Sequence, residues 1–199
     1  GVQTCALPIS AVDADFARAL GIEDGDVQKL RDEIRASLER ELKQRIDNEV
    51  KKQVFDLLLS AHDFAVPSAL VETEAEQLVE RMRRDLSMRG FDAGKLELSP
   101  QLFEEEARRR VKLGLVIGEL VKRHELQAKP EQVRALVEEV AAEYEHPEVM
   151  VNWYYSDPER LVSVEAVAIE NNVVQWVLEQ VQVVDKPVEF DEFMTQRPA

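Results

Sequence analysis

Between Asp26 and Ala61 the sequence has no proline and no glycine, and its apolar residues recur at four-residue steps: Leu30, Ile34, Leu38, Leu42, Ile46, Val50, Val54 and Leu58. That spacing is helical, and Asp26 ahead of it supplies an N-cap side chain. The pattern predicts a helix of about 35 residues, roughly 52 Å long at 1.5 Å per residue. A compact chain of this size has a radius of gyration near 16 Å, about 42 Å across as a uniform sphere, so the helix is expected to project from such a body. The stripe also rotates: a helix turns about 100° per residue, so each step carries it round by about 40°. Over the whole run it travels most of the way round the helix, and one fixed partner cannot cover it. The pattern reads as a helix handed from one packing partner to the next along a projecting arm, with a right-handed coiled-coil tendency as the alternative.

The remaining punctuation predicts further helices. A short piece around Asp15 to Leu20 leads into the turn Gly21 to Asp26. Asp63 to Pro67 ends the long helix, and Pro67 or Ser68 opens the next, which runs to about Arg89. Neighbours of this length are expected to form an antiparallel pair. After a loop over Gly90 to Pro100, a helix begins near Pro100 and continues toward His124, with Glu104, Glu105 and Glu106 ahead of Arg108, Arg109 and Arg110. Acidic start and basic continuation suit the helix dipole and local ion pairs. Pro130 opens a helix to about Tyr144, His146-Pro147 breaks it, a short aromatic segment covers Val149 to Tyr155, and Asp157-Pro158 caps a helix from about Glu159 to Val181. The tail reads as extended around Lys186-Pro187, then one helical turn. With only 7 glycines and 8 prolines to supply turns, a sandwich or barrel is disfavoured. The fold class is all-α, an elongated multihelical array with projecting helical arms.

Composition narrows the function classes. The net charge of -15 sets a repulsive field against phosphates, which disfavours direct nucleic-acid binding. No apolar run in the sequence approaches the roughly 18 residues of a membrane span, so no membrane partner is expected. Cys5 is the single cysteine, which rules out an internal disulfide and fits a reducing cytoplasm. Residues 1–12 lack the helical charge pattern that follows them and read as a foreign or disordered lead-in, so no chemistry is assigned to Cys5.

The spacings that announce reaction centres fail. His124-Glu125 has no second histidine at helical distance, so it is not a zinc helix. Glu143 and His146 give one Glu-x-x-His where a di-iron bundle needs two and two further carboxylates. His62, His124 and His146 each fall near a helix end, where C-terminal capping or exposure is the better reading. There is no Gly-rich phosphate loop, nucleophile elbow or Cys/His pair. The carboxylates sit beside Arg and Lys on solvated helix faces, and nothing selects two as an acid/base couple. No cofactor, metal or catalytic residue is assigned.

What stands out instead is distributed apolar surface. Phe55, Leu58 and Leu59 end the long helix; Met82, Leu86 and Met88 occupy the next; Phe91, Leu96, Leu98, Leu102 and Phe103 surround the following loop. An arm of one or two helix pairs has too few layers to hide them all, so some are expected to line a groove. Methionine's pliable thioether suits a surface that repacks around unlike partners. Ordinary core packing is the competing assignment for any one of them. Trp153, Tyr154, Tyr155 and Trp176 form either a platform for a bound chain, to which Tyr154 is assigned, or the lock of a helix junction, which is the commoner role.

Four stretches carry a family resemblance: Asp13-Ala14-Asp15-Phe16-Ala17 with Leu20-Gly21; the long helical run from Arg31 to Leu59; Val66-Pro67 with Leu70, Val71 and Glu74 after it; and Val183-Val184-Asp185-Lys186-Pro187-Val188 with Phe190-Asp191-Glu192-Phe193-Met194 at the end. In this order the sequence resembles the C-terminal domain of trigger factor, the bacterial ribosome-associated chaperones, from Asp13 to the C-terminus. The resemblance implies one helical domain over 13–199, the body and two arms of an open cradle for unfolded or nascent polypeptides, aiding folding and export. It also implies a cytoplasmic parent protein with a ribosome-docking domain and an FKBP-like prolyl isomerase domain. Both lie outside this sequence, so ribosome contact and isomerase activity are expected of the parent and not of this part. Association into a homodimer is compatible with the reading.

The expected mechanism is ATP-independent holding: apolar clusters bind transiently exposed segments of client proteins, and acidic helix faces keep the complex soluble. Two alternatives are a domain of the periplasmic survival-type chaperones, which share a related fold, and a helical adaptor that docks one folded partner.

Overall fold

Asp26 starts the longest helix, its Oδ1 accepting from the amides of Gln28 at 2.7 Å and Lys29 at 3.4 Å. Those are donors a helix start leaves without partners. The computed structural model describes residues 12–91, 97–142, 144 and 146–195. Among them run α1 (Ala14–Ala19), α2 (Val27–Ala61), α3 (Ser68–Met88), a 3-10 turn (Pro100–Phe103), α4 (Glu104–His124), α5 (Pro130–Ala141), α6 (Pro147–Tyr155), α7 (Pro158–Gln180) and α8 (Phe190–Thr195), with no strand among the described residues. The fold is all-α. Two compact units divide the chain, one of residues 1–50 with 186–199 and the other of 51–185.

In the first unit a small core of Ala17, Ile22 and Leu30, with Val27 against it, fastens α1 to the start of α2. The turn between them depends on Gly25, whose φ is +71° and whose Cα faces Ala14: a Cβ there would stand 3.0 Å from the Ala14 carbonyl oxygen. Only glycine meets both demands without strain. At the far end of the sequence α8 meets α2, and Arg45 Nη1 donates to the carbonyl of Met194 at 2.9 Å.

In the second unit α3 packs on α4 through Val71, Ala75 and Leu78 against Ala107, with Val66 and Phe103 closing the cluster. The expected antiparallel pair of α2 with α3 does not form. Pro67, at φ -59° and ψ 124°, continues an irregular connector, and α3 keeps its apolar residues on one face, which the small Ala107 lets approach closely. The last turns of α2 look instead toward α4 and α7. Lys51 pairs with Glu170 at 3.1 Å, Arg109 pairs with Asp56, and Lys112 Nζ donates to the Leu59 carbonyl at 3.1 Å. His62 Nδ1 lies 2.8 Å from the Leu58 carbonyl, the C-terminal capping role expected for a histidine there.

A second core joins α5, α6 and α7: Val133, Val137, Val164 and Ala168 are buried, with Leu136, Val151, Tyr154 and Leu161 against them. Burying one such valine contributes about 1.5–3 kcal/mol. His124 stacks on Trp176 with centroids 4.1 Å apart, tying the end of α4 to α7. The aromatic segment after His146 is itself a helix, α6, because Pro147 at its first turn gives up an amide the helix start does not use. The absence of any span-length apolar stretch is also corrected: α7 is long and apolar enough to cross a membrane by length and composition. Four of its apolar residues, Val164, Ala168, Val173 and Val177, are buried in the protein, while Val162 and Val167 are exposed.

Candidate functional site

The apolar residues singled out in the sequence divide by burial. Leu58 is inside the second unit, and Phe55, Leu59, Leu86, Leu98, Phe103 and Tyr154 are half-buried. Phe103 belongs to the packing around Val71 and Ala107, and Tyr154 to that around Val137. Met88 at 81% exposed, Leu102 at 69% and Phe91 at 61% stand in solvent, and Met82 is exposed to a lesser degree. Leu96 lies outside the described residues, as do Cys5 and Glu143. Met82, Met88, Phe91 and Leu102 are thus the exposed members of the set: Met82 and Met88 lie on α3, Phe91 just past its end, and Leu102 in the 3-10 turn that packs beside α3.

A second apolar surface lies in the first unit and was not chosen from the sequence. Ile34, Leu38 and Leu42 on α2, with Phe190 at the start of α8, line an open groove of about 470 Å³ whose rim carries Arg31, Arg35 and Glu39. On the α1 side Ile34 also borders a depression of about 560 Å³ with Leu20 and Leu30. Ile34 and Leu38 keep 48% and 41% of their surface exposed. The signal was present in the rotating stripe: Leu30 is buried in the first unit and Val54 in the second, while Ile34, Leu38 and Ile46 between them stay exposed.

Around Trp153 the aromatic residues lock a junction. Tyr154 meets Trp153 edge-on at 5.1 Å, the Arg160 guanidinium lies 4.1 Å over the Trp153 ring, and Arg160 Nη1 donates to the Trp153 carbonyl at 2.6 Å. These contacts tie the end of α6 to the start of α7. Trp153 and Tyr155 nonetheless keep about half their surface in solvent.

Electrostatically the apolar surfaces are plain. Among the described residues no polar or charged side chain is buried, and no three His, Cys, Asp or Glu side chains gather. The shifted groups are exposed ion pairs. The Lys29 ammonium bonded to Asp24 holds that carboxyl below its ordinary value, Arg123 does the same for Glu119, and bonding to Glu138 raises Arg134.

The class is therefore an all-α protein with open apolar surfaces on two helical units. The family model for the bacterial trigger factor protein C-terminus matches residues 26–179. The chain is 57% identical over 194 residues to the trigger factor of Aromatoleum aromaticum, covering 98% of this chain and 44% of that protein. It is 52% identical over 183 residues to the trigger factor of an Azoarcus species (92% and 42%) and 50% identical over 196 residues to that of Dechloromonas aromatica (98% and 45%). The chain belongs to the trigger factor family, in the C-terminal region, and spans less than half the length of the curated relatives it matches.

Proposed function

We propose that this chain is an ATP-independent chaperone domain that holds unfolded or nascent polypeptides on exposed apolar surfaces. The observation that carries the reading is the solvent exposure of Met88, Phe91 and Leu102 together with the open groove at Ile34, Leu38 and Leu42. In this proposal those side chains make up the interaction surface, as exposed apolar patches do in other proteins. Membership of the trigger factor family supports the same reading.

Each compact unit carries its own surface, so a client is held at several weak points. A surface that accepts many sequences is not shaped for one, and methionines at Met82 and Met88 adapt to unlike partners. The charge of -15 keeps the loaded chain soluble. Release follows when the client buries its own apolar segments. Prolyl isomerisation, ribosome attachment and a cytoplasmic setting belong in this proposal to the longer parent protein.

The test is aggregation of a chemically denatured model protein on dilution, followed by light scattering without nucleotide. Slowing that grows with chain concentration is expected. A flat response over the series, or saturation only by one folded partner, overturns the proposal.

A further inference from the structure

We propose that α8 is a displaceable internal occupant of the apolar stripe on α2, competing with incoming apolar segments for that stripe; the inference rests on the chaperone reading above. α8 has six residues, Phe190 to Thr195, whereas isolated helices shorter than about 12–15 residues are marginal in water. Its helical form therefore depends on the surface it lies against. Phe190, Phe193 and Met194 follow the i, i+3, i+4 spacing of one helix face. Phe193 and Met194 are half-buried, while Asp191, Glu192 and Thr195 face solvent. Phe190 lines the α2 groove with Ile34, Leu38 and Leu42, so α8 borders α2 with its apolar face as a docked amphipathic segment does.

The hold is slight. None of the α8 residues is buried, and Phe190 still shows 43% of its surface. The Arg45 bond to the Met194 carbonyl spans the two helices at 2.9 Å. The connecting residues 186–189 are exposed and have no regular structure, so they restrain α8 little. An element with few buried contacts and an exposed tether opens at low cost relative to a core helix. When it opens, the apolar edge contributed by Ile34, Leu38 and Leu42 is no longer shared with Phe190.

A client segment that needs the uncovered stripe binds only the open fraction, so its apparent affinity is reduced by that fraction. α8 thus sets a threshold: weakly apolar segments fail to displace it, and strongly apolar ones succeed. Acidic Asp191 and Glu192 on its outer face also keep the covered state soluble.

Two measurements on the whole chain test this with a short fluorescent peptide rich in leucine and phenylalanine. In the unaltered chain, hydrogen exchange at the amides of Phe193 to Thr195 should speed up when the peptide is added; unchanged or slower exchange overturns the inference. The variant Phe190→Ser with Phe193→Ser should bind the peptide roughly three- to tenfold tighter by fluorescence anisotropy, as removal of a competing closed state requires. Equal or weaker binding makes α8 a fixed wall of the groove and sinks the proposal while leaving the chaperone reading intact. Binding by neither form overturns both.

Discussion

Asn172 and Gln132 hold each other by both ends of their amides: Gln132 Nε2 donates to Asn172 Oδ1 at 2.7 Å, and Asn172 Nδ2 donates to Gln132 Oε1 at 3.2 Å. Asn172 Nδ2 also reaches the carbonyls of Leu126 and Gln127, at 3.2 and 3.1 Å, while Gln132 Oε1 accepts from the Lys129 amide at 2.9 Å. One side chain on α7 thereby fixes the turn between α4 and α5, where backbone groups at two helix ends need partners. Asn172→Ala leaves these acceptors unmatched and should cost about 1–3 kcal/mol. Urea denaturation reads it as a lower midpoint at unchanged slope. Gln132→Ala combined with Asn172→Ala should cost less than the sum of the single changes, and strict additivity would show that the two amides act separately.

The proposed client surface separates from the core by a stability test. Met88 and Leu102 are exposed, and surface changes away from caps and cores stay within about 0.5 kcal/mol. Met88→Ser with Leu102→Ser should therefore leave the thermal midpoint where it is and reduce the suppression of aggregation. Val137→Ala should do the reverse. Val137 is fully buried, so losing its methyl groups costs about 1.5–3 kcal/mol through transfer and cavity effects, with holding activity kept below the new midpoint. Suppression unaffected by the double serine variant would remove this surface from the proposal.

Most of the helix boundaries were legible in the sequence because capping residues are local: Asp26, Pro130 and Asp157 each start a helix where expected. Partner choice was not legible. The spacing of Val71, Ala75 and Leu78 shows that α3 has one apolar face, but only the small Ala107 across from it explains why α4 takes that face in place of α2. The same limit applies to the site. Met88 and Leu58 read alike as apolar residues near helix ends, yet one stands in solvent and the other in the interior, a difference set by neighbours distant in sequence. The groove at Ile34 was foreshadowed by the rotating stripe, while Phe190 joins it from more than 140 positions away and no local pattern announces that.

The pairing of Asp24 with Lys29 predicts a pH response confined to the extremes. The shared hydrogen bond is the main cause of both shifts, lowering the Asp24 carboxyl and raising the Lys29 ammonium relative to their ordinary values. The Asp24 contribution is complete above its ordinary value and lost as pH falls through the lower folded one; the Lys29 contribution is complete below its ordinary value and lost as pH rises through the higher folded one. Across neutral pH the pair contributes a constant amount, small and salt-screened because both groups are exposed. A carboxyl-carbon NMR titration of Asp24 should show a midpoint below the ordinary carboxylate value, moving upward in Lys29→Gln. Identical midpoints in the two proteins would mean that no ion pair forms in solution.

Glu125 offers a stabilising change. It terminates α4 at φ 54° and ψ 42°, with its amide donating to the Val121 carbonyl, the left-handed cap that glycine fills most readily. A side chain in that region crowds its own backbone, which costs about 1–2 kcal/mol per residue. Glycine relieves the crowding but enlarges the freedom of the unfolded chain, which offsets about 0.4–1 kcal/mol of the gain. Glu125→Gly should therefore stabilise by about 0.5–1 kcal/mol net, read as a higher urea midpoint. Glu125→Val should move the midpoint the other way, because a branched β-carbon tolerates positive φ worst. Equal midpoints for the glycine and valine variants would show that the cap is not left-handed in solution. The order glycine, glutamate, valine is the result that left-handed geometry requires, and no account based on the charge of Glu125 produces it, since both replacements remove the carboxylate.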